Sequence, residues 1–469
     1  MTRLSRATLG GLPAAVRRPG FDPSRLTSGI VHLGIGAFAR AHLAAYTQPL
    51  LADDPSWGIL GVSLRNAGTR DALAPQDWLY CRAERDGGGE RLEVMAALTG
   101  VAVGAHAALE HLLDPVVRIV TLTVTEKGYW RDVDAAAIPE DSAPGALAAA
   151  LHRRRAVGVA PFTVLSCDNL PANGATTRDV VTRFAERLDR SFGDFVAAEV
   201  AFPDCMVDRI VPATTPEDRA RIDGELGMRD AWPVVCEPFT QWVIEDRFPQ
   251  GRPAWESSGA ELVSDVRPYE DMKLRLLNGS HSSIAYLGQL AGWETVAEAI
   301  AVPELRAHIA ALMSEVATTL RLPRAVDLDG YRDALLTRFA NPALRHRTAQ
   351  IAMDGSQKLP QRLFAPALVR LAAGQRAPRI ALGVAAWLRF LQGRAEDGSA
   401  LPLNDPQAER LRAAAAVDSR ALCDAVFAMP DIVPPSLLPF REDVLTALNS
   451  LATRGVRQTL MTMEGTHEG

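Results

Sequence analysis

Three side chains that can bind and deprotonate an alcohol, Lys273, Asn278 and His281, lie close together in the stretch PYEDMKLRLLNGSHSSIAYLG. On a regular α-helix with about 100° per residue, these side chains and Glu270 lie within about 140° of one another. Leucines and an isoleucine cover much of the remaining surface, which predicts a buried helix with one polar face. The polar groups of that face either form hydrogen bonds within the core or line a cleft.

A polar face that lines a cleft has a defined chemistry. Desolvation of a buried Lys273 favours its neutral amine and lowers its pKa, so that the amine can accept the proton of an alcohol. The Asn278 amide can donate to the oxygen on which negative charge develops, and His281 can orient the same hydroxyl or its neighbour. Glu270, one helical turn before the lysine, can stabilise the ammonium or relay its proton. These groups suit a reaction in which an alcohol loses a proton and a hydride.

A glycine turn near the N-terminus predicts where a hydride acceptor binds. The apolar run 29–33 is typical of a buried strand, and glycine, glycine and alanine follow it at the spacing G-x-G-x-x-A. Such a turn before a helix lets the backbone approach a pyrophosphate, whose charge the helix N-terminus stabilises. Glycines after a strand can also be required only by the shape of the turn, without any bound dinucleotide. We expect a dinucleotide to bind at Gly34, Ile35, Gly36, Ala37 and Phe38.

The residues after the next predicted strand, 57–64, bear on the choice between NAD and NADP. The acidic residue that would bind the ribose hydroxyls is missing there, since the chain continues with Arg65 and Asn66. Arg65 can pair with a 2′-phosphate or can be a solvated surface residue, and Asn66 can hydrogen-bond a ribose hydroxyl. The residues by themselves leave both cofactors open.

Composition excludes several classes of protein. The 469 residues carry 50 basic and 56 acidic side chains, a formal net charge of −6, so the basic surface of a nucleic-acid binder is missing. Five cysteines without a Cys-x-x-Cys pair predict neither a disulfide framework nor a zinc site. The sequence has no His-x-x-x-His pair and no G-x-S-x-G elbow, so we expect neither a metal nor a serine nucleophile. Without a long apolar run or a signal-like N-terminus, it predicts a cytoplasmic protein that does not bind membranes.

The elements that position these groups form two parts. Strands and helices alternate in the first half, which predicts βαβ units and a parallel sheet. The predicted strands are 29–33, 57–64, 119–124, 162–166 and 200–202, and the helices include 41–52, 143–155 and 178–188. From about Tyr269 onward, Ala/Leu/Arg-rich stretches punctuated by proline and glycine predict helices. We expect an α/β chain with a Rossmann-type nicotinamide-binding domain at 1–265 and a mainly α-helical substrate and catalytic domain at 266–469.

Seven segments of the chain resemble the mannitol dehydrogenase family of polyol-specific long-chain dehydrogenases. They are HLGIGAFARAH (32–42), TLTVTEKGY (121–129), SCDNLPANG (166–174), FPDCMVDRIVP (202–212), CEPFTQWVIED (236–246), MKLRLLNGSHSSIAYLG (272–288) and HRTAQIAMDGSQKLPQR (346–362). The resemblance extends along nearly the full length of the chain. It is most similar to the mannonate oxidoreductase (fructuronate reductase) branch, and mannitol and arabinitol dehydrogenases share much of it.

The resemblance implies a Rossmann-type N-terminal domain, a mainly helical C-terminal domain, and an active site between them. It implies NAD(H) or NADP(H) as the cofactor, with NAD favoured, no zinc, and a monomer. The family's catalytic lysine corresponds to Lys273, and its substrate-orienting histidine corresponds to His281. Its two oxyanion-binding asparagines correspond to Asn169 and Asn278.

Two further positions take a substrate-binding role from the resemblance. The aspartate of MVDRI, Asp208, corresponds to a residue that binds a substrate hydroxyl, and the lysine of DGSQK, Lys358, to a distal substrate-binding residue. Without the resemblance, Asp208 beside Arg209 would be interpreted as a structural ion pair. Asn169 would be a turn residue, and Lys358 a solvated lysine in a Gly/Ser-containing loop.

We therefore expect an NAD(P)-dependent oxidoreductase that interconverts a linear sugar acid or polyol and its keto form, with D-mannonate and D-fructuronate favoured. A mannitol 2-dehydrogenase or an arabinitol dehydrogenase is the alternative within this class. A non-catalytic dinucleotide sensor is the alternative from another class, although a sensor needs no proton acceptor such as Lys273. Arg347, His346 and Arg362 offer positive charge that can meet a substrate carboxylate or can be ordinary surface charge.

Overall fold

The computed structural model describes residues 1–131, 133–415 and 418–464 and divides the chain into two compact units. Unit 1 is Met1–Arg267 and unit 2 is Pro268–Gly469. The division predicted from the sequence, between residues 265 and 266, lies two residues earlier. Unit 1 combines a parallel sheet with helices and unit 2 consists mainly of helices, so the predicted fold class is confirmed. In the described part of the chain, no helix is long and apolar enough to cross a membrane.

Unit 1 is organised around a parallel sheet. Its strands are β1 (Ile30–Leu33), β2 (Ile59–Ser63), β3 (Tyr80–Asp86), β4 (Gly89–Met95), β5 (Leu98–Val103), β6 (Ile119–Leu122), β7 (Thr163–Ser166), β8 (Cys205–Asp208), β9 (Val234–Cys236), β10 (Gln241–Glu245) and β11 (Glu261–Val263). The central sheet has the order β5-β2-β1-β6-β7, with all neighbours parallel. The order reverses between β1 and β6, which is the topological switch point of a Rossmann sheet. Two small sheets, β4-β3-β9 and β11-β10-β8, complete the unit.

The strands of the central sheet are apolar on both faces, as expected for a parallel sheet that helices cover. The helices of unit 1 are α1 (Ala37–Ala41), α2 (Leu43–Thr47), α3 (Gly68–Leu73), α4 (Ala105–Leu112), α5 (Ala143–Ala156), α6 (Asn173–Leu188), α7 (Arg190–Glu199) and α8 (Pro216–Leu226). Short 3₁₀ turns lie at Arg6–Gly11, Pro23–Arg25, Gln48–Ala52, Ala74–Gln76, Glu126–Tyr129, Ala135–Ala137 and Trp255–Ser258. Ile30 of β1 packs into one core with Leu43, whereas its neighbour Val31 packs into a second core with Leu147 and Val180.

Two local predictions for unit 1 need correction. The helix predicted at 41–52 forms as α2 and the 3₁₀ turn Gln48–Ala52, but it begins only after a break at His42 (φ −111°, ψ −74°), whose buried ring lies 3.1 Å from the Gln241 carbonyl oxygen. The strand predicted at 200–202 forms no ladder, because Pro203 follows it without an amide donor. Its Ala201 carbonyl accepts one hydrogen bond, from Val164 N at 2.9 Å, and the chain forms β8 only afterwards.

Unit 2 is built from helices. They are α9 (Arg267–Met272), α10 (Gly279–Ala291), α11 (Val296–Ile300), α12 (Pro303–Ala317), α13 (Leu328–Phe339), α14 (Thr348–Ile351), α15 (Gly355–Leu359), α16 (Ala365–Ala372), α17 (Pro378–Leu391), α18 (Ala408–Ala414), α19 (Ser419–Phe427) and α20 (Arg441–Glu464), which is kinked at Gly455. Short 3₁₀ turns lie at Pro342–Leu344 and Pro435–Phe440. Helix α10 is buried along nearly its whole length and packs against α12, α14 and α17. Two π-helical segments, Lys273–Asn278 and Pro360–Phe364, contact each other.

A neutral histidine lies inside the central sheet. His32 of β1 is fully buried, its Nδ1 lies 2.7 Å from Thr121 Oγ1, and its Nε2 lies 2.8 Å from Thr123 Oγ1. Burial lowers the pKa of His32 from 6.5 to about 4. The folded protein therefore resists protonation of a group that the unfolded chain protonates readily.

We predict that His32 lowers stability in mild acid. An unfolded chain takes up this proton near pH 6.5 and the folded protein only near pH 4, so the free energy of unfolding falls as the pH decreases through that window. The loss amounts to about 3 kcal/mol near pH 4 and vanishes above pH 6.5. Urea unfolding at pH 7.5 and 4.5 measures it, and His32→Gln should lose clearly less stability between the two than wild type. An equal loss in both proteins would contradict this assignment.

Candidate functional site

The turn after β1 is fixed by the chain that follows the neighbouring strand β6. Gly34 has a φ of +93°, and a Cβ at this position would lie 2.2 Å from the Thr123 carbonyl oxygen, so the position requires glycine. Thr123 Oγ1 donates to Gly34 O at 2.8 Å, and Gly36 N donates to the same oxygen at 2.6 Å. The turn thus has a defined shape at the switch point between β1 and β6.

Above this turn the backbone is open. Gly36 is exposed, and a Cβ there would meet nothing closer than Gly34 O at 3.8 Å. Ile35 is buried against Gly61 of β2, and the Phe38 ring stacks on His42 with 4.9 Å between ring centroids. With these side chains turned into the protein, the backbone of 34–38 forms a cradle that a pyrophosphate fits and that a side chain at Gly36 would fill.

The residues after β2 lie on the surface. Arg65 and Asn66 are exposed, and Asn66 Oδ1 accepts a hydrogen bond from Gly68 N at 3.1 Å, at the start of α3. Ser63 Oγ donates to the Asn66 carbonyl at 2.6 Å and closes the turn. Asn66 therefore uses its side-chain oxygen within the turn, whereas Arg65 is exposed at the surface.

A carboxylate that sequence reasoning missed joins the ends of β6 and β7. Asp168 accepts hydrogen bonds from Val124 N at 2.8 Å, from Thr125 N at 2.9 Å, and from Tyr129 Oη at 2.6 Å. Tyr129 Oη also lies 2.6 Å from Ser166 Oγ. Burial raises the pKa of Asp168 and raises that of Tyr129 well above its usual value. The motif SCDNL contains Asp168 beside Asn169. The position of this carboxylate at the end of a predicted buried strand could have identified it from the sequence.

The two unit 1 residues assigned through the resemblance differ in exposure. Asn169 follows Asp168 and is exposed, close to Ala172 in the left-handed region at φ +46°. Asp208 ends β8, is 5% exposed, and pairs in register with Gln241 of β10. The neighbouring Arg209 makes an ion pair with Glu84 at 2.6 Å.

In unit 2, Lys273 and Asn278 occupy the first and last positions of a π-helical segment. Gly279 N donates to Leu274 O, five residues back, which replaces the regular spacing of four. The uninterrupted α-helix assumed in the sequence analysis is therefore wrong at 273–278. In a regular helix, positions 273 and 278 are about 140° apart around the axis. The extra residue in this turn makes that angle smaller. Lys273 and Asn278 are each 8% exposed.

One turn later, His281 of α10 is packed between two rings and is 7% exposed. Its ring centroid lies 4.7 Å from that of Phe339 and 5.1 Å from that of His346. Burial, followed by the charges of His346, Arg338 and Arg362, lowers the pKa of His281 well below its usual value. Its Nε2 has no hydrogen-bond partner among the described residues. A neutral imidazole with an open nitrogen is suited to bind a hydroxyl.

Two other predicted residues of unit 2 lie on separate helices. Glu270 is half-buried in α9, one turn before Lys273. Lys358 lies in α15 and not in a loop, and its Nζ donates to Met353 O at 2.7 Å and lies 3.8 Å from Asp354. Thus Lys273, Asn278 and His281 belong to one helical run, Lys358 has local partners, and the turn at 34–38 and Asn169 belong to unit 1. In residues 1–131, 133–415 and 418–464, no group of three or more His, Cys, Asp and Glu side chains is arranged to hold a metal ion.

Comparison with known proteins assigns the chain to a family. Residues 28–257 match the family model of the mannitol dehydrogenase Rossmann domain, and residues 265–442 match that of the mannitol dehydrogenase C-terminal domain. The chain belongs to the mannitol dehydrogenase family. The family resemblance drawn from the sequence is therefore confirmed.

The relatives include enzymes with different substrates. D-mannonate oxidoreductase of Escherichia coli is 42% identical over 94% of this chain and 97% of its own length. Mannitol 2-dehydrogenase of Phaeosphaeria nodorum is 38% identical over 94% of this chain and 82% of its own length. Among solved structures, Pseudomonas fluorescens mannitol 2-dehydrogenase in a ternary complex with NAD and D-mannitol is 36% identical, with a TM-score of 0.86, and covers 99% of this chain and 100% of its own. Family membership establishes an oxidoreductase fold with a Rossmann dinucleotide-binding domain.

We predict that Gly36→Val abolishes dinucleotide binding without unfolding the protein. Its φ of −85° and the open space around it allow a valine, whose side chain would occupy the cradle above the turn. Binding of NADH and NADPH, followed by nicotinamide fluorescence, should weaken at least 100-fold, with little change in melting temperature. Gly20→Val is the matched control and should bind normally, because Gly20 is also exposed and a Cβ there would meet nothing within 4 Å. Normal binding by a folded Gly36→Val protein would remove the turn from the site.

Proposed function

We propose that this chain is an NAD(P)-dependent oxidoreductase that interconverts a secondary alcohol of a linear sugar acid or polyol and the corresponding ketone. The observation that carries the proposal is the buried run of Lys273, Asn278 and His281 on one helix of unit 2, in a chain whose unit 1 is a Rossmann domain. D-mannonate and D-fructuronate are the favoured substrate pair, since D-mannonate oxidoreductase matches over nearly the full length of both chains. Oxidation of mannitol or arabinitol is the alternative.

The cofactor in this proposal binds at the turn 34–38, whose open backbone fits a pyrophosphate. NAD is favoured because the related P. fluorescens enzyme is described in complex with NAD, while the exposed Arg65 leaves NADP possible. When bound, the nicotinamide supplies the hydride acceptor or donor. The residues of the chain supply binding, orientation and proton transfer.

Lys273 is the proposed general base. Lysine occurs at only three positions of this sequence, 127, 273 and 358, and every other basic residue counted in the net charge is arginine. Arginine keeps its proton under all ordinary conditions, whereas a buried lysine can lose it. A lysine buried at position 273, in a chain whose basic residues are almost all arginine, therefore favours proton transfer over simple charge. It takes the hydroxyl proton during oxidation and returns it during reduction.

The other residues stabilise and orient the reacting oxygen. The Asn278 amide donates to the oxygen as negative charge develops, and a preorganised donor of this kind contributes about 3 kcal/mol. The resemblance gives Asn169 of unit 1 the same role. Neutral His281 uses its open Nε2 to hold a substrate hydroxyl, and Glu270 relays the proton of Lys273. Asp208 and Lys358 bind more distant parts of the substrate.

A non-catalytic dinucleotide sensor is the alternative from a different class. A sensor requires the turn at 34–38 but gains nothing from a buried lysine beside an asparagine and an open histidine. Burying polar groups costs free energy, and a sensor gains no proton transfer in return. Turnover, followed as absorbance of reduced nicotinamide near 340 nm with D-mannonate and D-mannitol against NAD and NADP, separates the two functions. Absence of turnover with all four combinations would contradict the proposed enzyme.

We predict that Lys273→Ala lowers turnover on the order of 10²–10⁴-fold and leaves cofactor affinity nearly unchanged. Lys273→Arg is the matched variant, because it keeps a positive charge of similar length but cannot act as a base. It should be as inactive as Lys273→Ala.

Melting temperatures of both variants distinguish this role from a structural one. If Lys273 serves only packing or charge pairing, the variants lose stability while turnover per folded molecule stays close to wild type. Near-normal turnover in a stable Lys273→Ala protein, or activity retained by Lys273→Arg, would end the assignment.

A further inference from the structure

A group of basic side chains from separate elements of unit 2 surrounds His281. Arg338 is the penultimate residue of α13 and precedes Phe339, whose ring lies 4.7 Å from that of His281. His346 lies between the 3₁₀ turn Pro342–Leu344 and α14, with its ring 5.1 Å from His281. Arg362 lies in the second π-helical segment. We call these four residues, His281, Arg338, His346 and Arg362, the His281 cluster.

The His281 cluster carries positive charge in a poorly hydrated place. Arg338 is 7% exposed and Arg362 is half-buried, and the charges of both act on His281. Arg362 Nη1 donates to Ser282 Oγ at 3.1 Å and lies 3.5 Å from Asn278 O. Two guanidinium charges that act on one buried imidazole favour the approach of an anion.

The cluster also offers unused hydrogen-bonding atoms. His281 Nε2 and His346 Nδ1 are buried and, within the described part of the chain, have no hydrogen-bond partner. Buried polar atoms in native proteins are nearly always paired, so two unpaired nitrogens beside two arginines are available to a polar ligand. Because His281 Nε2 is assigned to a substrate hydroxyl, the two guanidinium groups and His346 Nδ1 remain for an anion beside it.

We propose that Arg338, His346 and Arg362 of the His281 cluster bind the carboxylate of a sugar acid, which makes an aldonate rather than a neutral alditol the alcohol substrate. This inference rests on the proposed function and specifies its substrate class. A carboxylate matches the planar fork of a guanidinium with two parallel hydrogen bonds, and such charge-assisted bonds are stronger than those to a hydroxyl. The hydroxymethyl end of a polyol offers neither the negative charge nor the second acceptor.

The position of Arg362 links recognition to the reaction. Its guanidinium contacts the carbonyl of Asn278, the last residue of the turn that begins with Lys273. An anion held by Arg362 therefore lies close to the helix that carries the proposed base and oxyanion donor. Arg347, next to His346 in sequence, is exposed and stands outside the cluster.

D-mannonate and D-mannitol test the inference, because they share a carbon skeleton and differ by a carboxylate at one end. The measured quantity is the ratio of kcat/KM for the two substrates, which is independent of the fraction of enzyme that is folded. Wild type should prefer D-mannonate at least tenfold. Arg338→Gln and Arg362→Gln should each lower that preference at least tenfold, since each removes one charge-assisted contact. Arg347→Gln removes the same charge at the surface and should change the ratio less than threefold.

The outcomes separate the inference from the proposed function. If wild type prefers D-mannitol, or if the ratio stays unchanged in both Arg338→Gln and Arg362→Gln, the carboxylate site is wrong while the oxidoreductase stands. If wild type oxidises neither substrate with either cofactor, the proposed function itself fails. An equal loss of kcat/KM for both substrates would assign the arginines a structural role and overturn the inference.

Discussion

The proposed chemistry depends on one widened helical turn. In a regular helix Asn278 would lie about 140° around the axis from Lys273. The hydrogen bond from Gly279 N to Leu274 O, five residues back, adds a residue to the turn. The two polar groups therefore lie at a smaller angle to each other around the helix axis. Such turns are rare and concentrate at functional sites. The neighbouring segment Pro360–Phe364 supports this one at close range, because a Cβ at Gly279 would lie 3.0 Å from Arg362 O.

Two buried histidines show how the same residue type serves structure in one unit and is open to a ligand in the other. His32 has each ring nitrogen within 2.8 Å of a threonine hydroxyl, and Thr123 in turn donates to Gly34 O. That network shapes the glycine turn and is complete without a ligand. His281 is equally neutral because burial lowers its pKa, but its Nε2 finds no partner in the described residues. The first histidine is part of the scaffold, and the second is ready to bind.

The sequence predicted what has a strong periodicity or a local motif. The parallel strands around Gly34 and the helices of unit 2 are such features, as is the polar face of Lys273, Asn278 and His281. The hairpin of β3 (YCRAERD) and β4 (GERLEVM) was missed because its strands are rich in charge and lack a long apolar run. The π-helical turn was missed because a pattern at 100° per residue assumes a regular helix. Arg338 escaped notice since tertiary packing alone brings it to His281.

The most direct test of the central claim is the pH dependence of wild-type kcat/KM in both directions. Only the neutral amine of Lys273 accepts the alcohol proton, and only its ammonium donates one to the ketone. Alcohol oxidation should therefore rise with pH through one ionisation, and ketone reduction should fall over the same pH range. Equal responses of the two directions, or profiles that stay flat across that range, would contradict a lysine that transfers the proton.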